Sequence, residues 1–178
     1  MIFSHTWKMV LSGQKTVTRR LVKPGEYDTI QPDERWPITD WDKLTCEVPH
    51  SQMHLVTVDA VYTASGRVKW RVGNTYAVQP GRTEKGIARI RLTGIRRERL
   101  QDITEEDAWA EGCYEKITDW IEFGEVMQAE YSSVEVYADL WDTIHTAPGT
   151  TWADNPEVWV LEFEIVKSGL AARAVEEF

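Results

Sequence analysis

The stretch 6–20 constrains this chain most, because it predicts a helix, a tight stop and a strand in immediate succession. Three apolar side chains recur at helical spacing at its start, namely Trp7, Val10 and Leu11. Gly13 stands where a left-handed glycine ends a helix, and Thr-Val-Thr then favours extended backbone. Lys15 and Thr18 therefore lie at a helix-to-strand junction, where a side chain can point into a cleft. A surface hairpin with solvated cations explains the same residue types.

Length and cysteine content predict one domain in a reducing compartment. The chain has 178 residues, of which 42% are hydrophobic, enough for a single core. Its two cysteines, Cys46 and Cys113, provide no disulfide framework. No apolar run approaches the roughly 20 residues of a membrane span, and the N-terminus has no signal-peptide pattern. We therefore expect a cytoplasmic protein with no membrane partner.

The net charge of −9 disfavours a general nucleic-acid coat, which needs a basic surface. The charge is unevenly distributed, however. Cations dominate residues 15–23 and 82–99, whereas acids dominate residues 102–135. If the two basic segments are neighbours, their surface suits a nucleoside, a nucleotide or a short RNA. The alternative is that acids and bases neutralise one another across the fold.

Apolar periodicity and turn residues predict most of the elements. The predicted strands are 1–4, 55–62 paired with 67–70, 75–79, 87–97 with a bend at Gly94, and 158–165. The predicted helices are 6–12, a short one with Thr104 as N-cap and Gly112 as its end, and one opened by a capping box at Ser132–Glu135 and running to about His145. We expect the last helix to bury Val134, Tyr137, Leu140, Trp141 and Ile144. No internal repeat is present.

One irregular segment interrupts this pattern. Residues 26–54 are rich in proline and contain Trp36 and Trp41, so we predict an ordered insertion that folds over one face of the domain. Residues 169–178 read as a tail. The predicted organisation is a single domain over residues 1–168 that carries this insertion.

The spelling Gly-x-Lys-x-x-x-x-Arg, met here at Gly13, Lys15 and Arg20, resembles the signature of the ASCH domain family. The resemblance implies an α+β, PUA-like (ASCH) β-barrel of about six strands flanked by three or more helices. Bacterial N(4)-acetylcytidine amidohydrolases of this family carry Gly-x-Lys-Thr-x-Thr-x-Arg, which this chain matches through Thr16 and Thr18 as well. Longer ASCH proteins of phage and prophage genomes are also similar to it.

That resemblance implies a catalytic lysine, threonine and glutamate. The lysine and threonine correspond to Lys15 and Thr18, and a second match that starts at Leu100 places the glutamate at Glu111. We assign substrate contacts to Arg20 and Thr16. We also assign substrate contacts to Gln79 and Arg82, in the loop at the end of the strand 75–79, because loop side chains often serve recognition.

These residue types suit amide hydrolysis, which needs a nucleophile, a base and a proton donor for the leaving nitrogen. A neutral lysine can activate a hydroxyl nucleophile, and burial favours the neutral form of an amine. We therefore expect Lys15 to deprotonate Thr18, which attacks the acyl carbon of an N(4)-acylated cytosine or cytidine. Glu111 would orient Lys15 and pass the proton to the leaving amine; alternatively Thr18 only orients a water. No cofactor is needed.

Two other functions remain open, an RNA-binding module without catalysis and a ribonuclease. A metal site is not expected: Cys46, His50 and His54 are spaced by four, but Pro49 breaks any helix between them. The expected partner is a small modified nucleoside or base, with a short RNA as the alternative. No obligate protein partner is evident.

Overall fold

A computed structural model describes residues 1–30, 58–122 and 125–166 of the chain. Most of the predicted insertion and all of the predicted tail at 169–178 lie outside the described residues. So do Trp36, Trp41 and the rejected metal-ligand set Cys46, His50 and His54.

The described chain forms three helices and nine strands. The helices are α1 (Trp7–Ser12), α2 (Glu105–Ala110) and α3 (Ser133–Ile144). The strands are β1 (Val17–Leu21), β2 (Tyr27–Ile30), β3 (Val58–Tyr62), β4 (Val68–Arg71), β5 (Thr75–Val78), β6 (Ala88–Arg99), β7 (Lys116–Glu122), β8 (Glu125–Tyr131) and β9 (Glu157–Val166). A 3₁₀ turn, Leu100–Asp102, joins β6 to α2.

Every pair of neighbouring strands in these sheets is antiparallel. The central sheet has the order β1-β9-β6-β5, a second sheet has the order β2-β3-β4, and β7 and β8 form a two-stranded sheet. The long strands β6 and β9 form the middle of the central sheet, which leaves β1 at its edge. A register shift between Leu92 and Gly94 bends β6 at the predicted glycine.

The central sheet separates two apolar cores, because side chains of a strand alternate between its faces. Trp159, Leu161 and Phe163 of β9 pack in a core with α1 and side chains of the β2-β3-β4 sheet. Val158 and Val160 face the opposite core, which α2 and α3 cover. Both faces of β9 are therefore buried, and the site described below lies at the β1 edge of the central sheet.

The α+β class is confirmed, but the barrel expected from the resemblance is not found among the described strands. These strands form three open sheets. There are nine described strands rather than the expected six or so. None of the described helices is long and apolar enough to span a membrane.

Local signals predicted most helix ends. Gly13 ends α1 at φ 77°, Thr104 caps α2 by accepting from the Asp107 amide, and Ser132 forms its capping box with Glu135. One burial prediction was wrong: Ile144 is 49% exposed because α3 ends there, beyond the sheet surface that buries Tyr137 and Trp141.

Three further differences concern strands. The start of the segment 26–54, predicted to be irregular, forms β2, which pairs with β3. The predicted first strand, 1–4, is reduced to an isolated bridge between Ile2 and Gln79. The hairpin of β7 and β8 was not predicted, and several of its apolar side chains remain exposed, including Ile117, Ile121 and Val126.

Candidate active site

Lys15 and Glu111 meet in the interior, although 95 residues of chain separate them. The Lys15 ammonium donates to the Glu111 carboxylate and, at 2.7 Å, to the Glu111 backbone carbonyl. Both side chains are 4% exposed. Lysine and glutamate are rarely buried unless they are paired, so each of these two side chains needs the other in order to be buried.

The backbone before β1 explains how Lys15 reaches this position. Residues 14–16 precede the strand and are not held in its alternation, since β1 begins at Val17. The Lys15 amide donates to the Met9 carbonyl and the Thr16 amide donates to the Ala110 carbonyl. The loop after α1 is thus fastened to both α1 and α2, which directs the lysine side chain to the end of α2.

Glu111 is placed by the end of α2. It is the C-cap residue, and Gly112 follows with φ 89°, a left-handed conformation that turns the chain away. Its Oε1 accepts from the Arg19 backbone amide at 2.6 Å. The carboxylate therefore covers the free edge of β1, beside the peptide group that links Thr18 to Arg19.

Thr18 lies in β1 opposite Leu161 of β9 and is 4% exposed. Its strand neighbours Val17 and Arg19 face the core beneath α2 and α3, so Thr18 occupies the other face of the edge strand. The structure brings Lys15 to Glu111, and Glu111 to the peptide group of Thr18. The catalytic roles of all three residues remain predictions.

Arg19 was not predicted as a site residue, yet its side chain is fully buried. It donates to Glu98 through Nε at 2.9 Å and through Nη2 at 2.6 Å, and to Asp107 through Nη2 at 2.6 Å. Its Nη1 lies 3.6 Å from the Glu111 carboxylate. Burial alone would lower the pKa of Arg19, but Glu111, Glu98 and Asp107 raise it above its ordinary value.

Cys113 and Tyr137 also border the pair and were not predicted as site residues. Burial raises the pKa of the Cys113 thiol to about 11; the Lys15 charge opposes this shift and the Glu111 charge adds to it. Burial, followed by the Glu111 charge, raises the pKa of Tyr137 well above its ordinary value. Both groups are therefore neutral near pH 7, and each can only donate or accept a hydrogen bond there.

The remaining predicted substrate contacts lie in different places. Arg20 donates to the Ile2 carbonyl at 2.7 Å, and its guanidinium lies 5.5 Å from the centre of the Phe3 ring. Thr16 is exposed beside the pair. Gln79 donates to the Glu84 carbonyl, and Arg82 is exposed in the same loop. No contact joins these last two residues to Lys15 or Glu111 in the described part of the chain, and their substrate roles stay predictions.

Three arginines of the basic segment 82–99 are neutralised by carboxylates within the fold. Arg91 pairs with Glu164, Arg97 with Glu157, and Arg96 with three carboxylates, namely Glu98, Asp107 and Glu162. This pattern matches the alternative in which acids and bases cancel one another. An extended positive surface is not formed by these arginines.

Two open cavities lie outside the pair. One, of about 700 Å³, is lined by residues that include Lys23, Arg97 and Arg99; the other, of about 530 Å³, lies between Trp109 and Tyr131. Neither is lined by Lys15, Thr18 or Glu111. The pair is closed to solvent in this structure, so a substrate reaches it only after neighbouring groups move.

No family model and no curated protein matches the chain. Two solved structures are similar to it. One is a protein from Enterococcus faecalis V583 described by the family model DUF984, with 14% identity and a TM-score of 0.48 over 92% of this chain and 71% of that one. The other is an ASCH domain from Lactobacillus crispatus JV V101, with 15% identity and a TM-score of 0.43 over 89% of this chain and 69% of that one. At this similarity, neither structure assigns an active site or an activity to this chain.

Proposed function

We propose that this protein is an amidohydrolase that removes the acyl group from N(4)-acylated cytosine or cytidine. The observation that carries the proposal is the buried pair of Lys15 and Glu111, whose carboxylate contacts the peptide group joining Thr18 to Arg19. A nucleic-acid-binding surface would present its cations to solvent. A lysine that is 4% exposed beside a carboxylate serves proton transfer better than phosphate contact.

In the proposed reaction, neutral Lys15 takes the proton of the Thr18 hydroxyl while the oxygen attacks the acyl carbon. The Glu111 carboxylate, which accepts from Lys15, stabilises the ammonium that forms. As the bond between the acyl carbon and N4 breaks, this proton passes through Glu111 to the leaving amine. An acyl ester on Thr18 remains.

Water then completes the cycle. Lys15 accepts a proton from the water that attacks the ester and returns it to Thr18, which releases a carboxylic acid and restores the enzyme. Closure of the site favours a small acyl group, since the side chains of Lys15 and Glu111 are almost entirely covered. Exclusion of bulk water also strengthens the electrostatic contacts on which the proton transfers depend.

The test is to incubate the purified protein with N(4)-acetylcytidine and, separately, with a short RNA, and to separate the products by chromatography. We expect cytidine and acetate from the nucleoside and intact RNA from the second reaction. RNA fragments would support the ribonuclease instead, and RNA binding without either product would support the binding module. Both outcomes contradict the proposal.

Matched variants localise the activity. Lys15→Met should abolish release of cytidine, whereas Lys116→Met, which removes an exposed lysine of β7, should leave it unchanged. Equal loss in both variants would assign the activity to something other than the buried pair. Circular dichroism of each variant checks that the fold is kept.

A further inference from the structure

We propose that Arg19 is the positioning residue of this site: it holds the Glu111 carboxylate in place and supplies its compensating charge when Lys15 is neutral. This inference rests on the proposed function. Arg19 lies between Thr18 and Arg20 but faces the opposite side of β1, towards α2 and α3, with its guanidinium 5.9 Å from the centre of the Tyr137 ring.

Arg19 approaches Glu111 at two points. Its backbone amide donates to Oε1 at 2.6 Å, and its Nη1 lies 3.6 Å from the same oxygen. Arg19 therefore binds the Glu111 carboxylate through its backbone amide and also places its guanidinium charge beside it. Because the side chain of Arg19 is fully buried, that charge is poorly screened by water.

The Arg19 guanidinium also keeps a donor in reserve for Glu111. Nε and Nη2 are occupied by Glu98 and Asp107, whereas Nη1 is buried and has no hydrogen-bond partner among the residues that the structure describes. A buried donor without a partner is costly and calls for an explanation. Glu111 is close enough that a small shift completes a bond from Nη1, so this donor is available when Lys15 turns to the substrate.

Charge balance at the site also requires Arg19. Lys15 must be neutral to take a proton, and Glu111 would then be a buried carboxylate beside an uncharged amine. An uncompensated buried charge is strongly destabilising. Arg19 provides the remaining cation beside this carboxylate.

Arg96 keeps Arg19 from being fully neutralised by other acids. It donates to Glu98 Oε2 at 3.0 Å and to Asp107 Oδ2 at 2.6 Å, the same two carboxylates that Arg19 contacts. The two arginines thus share Glu98 and Asp107, while Arg96 also pairs with Glu162 and Arg19 also faces Glu111. The Glu98 and Asp107 charges are shared, which leaves part of the Arg19 charge to Glu111.

The experiment compares Arg19→Met and Arg19→Lys with Arg97→Met as the control. Arg97 is also paired with a carboxylate, lies over a tryptophan ring and has a buried unpartnered Nε, but it contacts Glu157 and Trp159 instead. The first readout is the NMR shift of the residue 19 amide proton, which a bond to a carboxylate moves downfield. Glu111→Gln gives the reference value for loss of that carboxylate.

The second readout is turnover of N(4)-acetylcytidine. We expect Arg19→Met to move the residue 19 amide to the Glu111→Gln value and to lower kcat about 10–100-fold with little change in KM. Arg19→Lys should restore part of kcat because it restores the charge. Arg97→Met should change neither readout. If Arg19→Met does not fold, the double variant Arg19→Met with Glu98→Gln is used instead. It removes the Glu98 charge together with the Arg19 charge, and the same two readouts are measured on it.

The two proposals fail in different ways. If the wild-type protein does not turn over the nucleoside but the residue 19 amide still moves in Arg19→Met, the proposed function fails and the positioning role stands. If the amide stays at its wild-type shift in Arg19→Met, Arg19 does not position Glu111. The positioning role also fails if turnover occurs and kcat remains within about twofold of wild type.

Discussion

At the scale of single residues, the site depends on where Lys15 sits along the chain. Lysine and threonine three positions apart would face opposite sides of a regular strand. The strand begins only at Val17, so the Lys15 side chain is free of that alternation. Three backbone or side-chain contacts then fix it, to Met9, to the Glu111 carbonyl and to the Glu111 carboxylate.

Thr18 offers a residue-scale test of the nucleophile. Thr18→Val keeps the shape of a buried β-strand side chain and removes the hydroxyl, so we expect turnover of N(4)-acetylcytidine to fall by at least about 100-fold. Stability should change by only about 1 kcal/mol, measured by urea unfolding. Thr18→Ser, which keeps the hydroxyl, should retain part of the rate. Full activity in Thr18→Val would remove Thr18 as the nucleophile.

Sequence reasoning missed Arg19 for a residue-scale reason. The family spelling draws attention to Lys15, Thr18 and Arg20, and no motif position falls on Arg19. Its role follows from strand alternation together with the approach of Asp107 and Glu98 from distant elements. A sequence pattern does not contain that tertiary approach. Cys113 and Tyr137 were missed for the same reason.

Among the secondary-structure elements, α2 positions Glu111, because its C-terminal end places that residue at the edge of β1. The helix is short, and its start and its end were both predictable from Thr104 and Gly112. Its C-terminal residues cover the free edge of β1, where an unpaired strand edge would otherwise be open to pairing with another chain. The same contacts that protect the edge bring the carboxylate to the site.

Gly112 should therefore be more important for activity than an ordinary turn glycine. It has φ 89°, and a Cβ at this position would lie 2.6 Å from the Met9 sulfur. Gly112→Ala should cost about 1–2 kcal/mol in unfolding free energy from the left-handed backbone alone, and should lower kcat by displacing Glu111.

Gly149→Ala is the matched control, since Gly149 has φ 79° with nothing within 4 Å of the added Cβ. It should cost a similar unfolding free energy and leave kcat unchanged. An equal fall of kcat in both alanine variants would show that lost stability, rather than the position of Glu111, lowers the rate.

The sequence did not predict the hairpin of β7 and β8. Its side chains Ile117, Ile121 and Val126 are exposed, so burial does not impose a clear apolar periodicity on it. The strands that pack against a core, such as β6 and β9, were predicted within a few residues of their observed bounds. The apolar periodicity of a sequence predicts a strand only where one face of that strand is buried.

At the scale of the whole molecule, Glu26 connects three parts of the fold. Its side chain is 4% exposed, and it accepts from Lys69 on β4, from the Trp159 indole on β9 at 3.0 Å and from the Lys23 amide at 3.1 Å. Burial raises the pKa of this carboxyl, but the hydrogen bonds and charge of its partners outweigh burial and lower it overall. The ionised form therefore stabilises the fold.

A lowered carboxyl pKa fixes the direction of the pH dependence. The stabilisation by Glu26 is fully present above the carboxyl's ordinary pKa of 4.5 and is lost as pH falls through the lower folded value. Glu26→Gln should cost about 1–3 kcal/mol at pH 7, and less in acid, by urea unfolding. Glu164→Gln, which breaks an exposed pair, should cost less than about 1 kcal/mol. A pH-independent cost for Glu26→Gln would contradict this assignment.

The predictability of the whole molecule follows the same division. Helix ends could be predicted from the sequence, because Gly13, Thr104 and Ser132 act on the backbone next to them. Buried strands could be predicted from their apolar pattern. The pairing of β1 with β9 and the second core on the helix side of β9 depend on contacts between distant residues. The meeting of Lys15 with Glu111 was expected only through the family resemblance.

A double-mutant cycle on N(4)-acetylcytidine turnover, with Lys15→Met, Glu111→Gln and the double variant, tests whether Lys15 and Glu111 act as one catalytic unit. Residues that act as one catalytic unit are non-additive, so we predict that the double variant is no slower than the slower single variant. Removing both charges together should also cost less stability than removing either alone. Additive losses of rate, or a single variant with wild-type activity, would contradict the account.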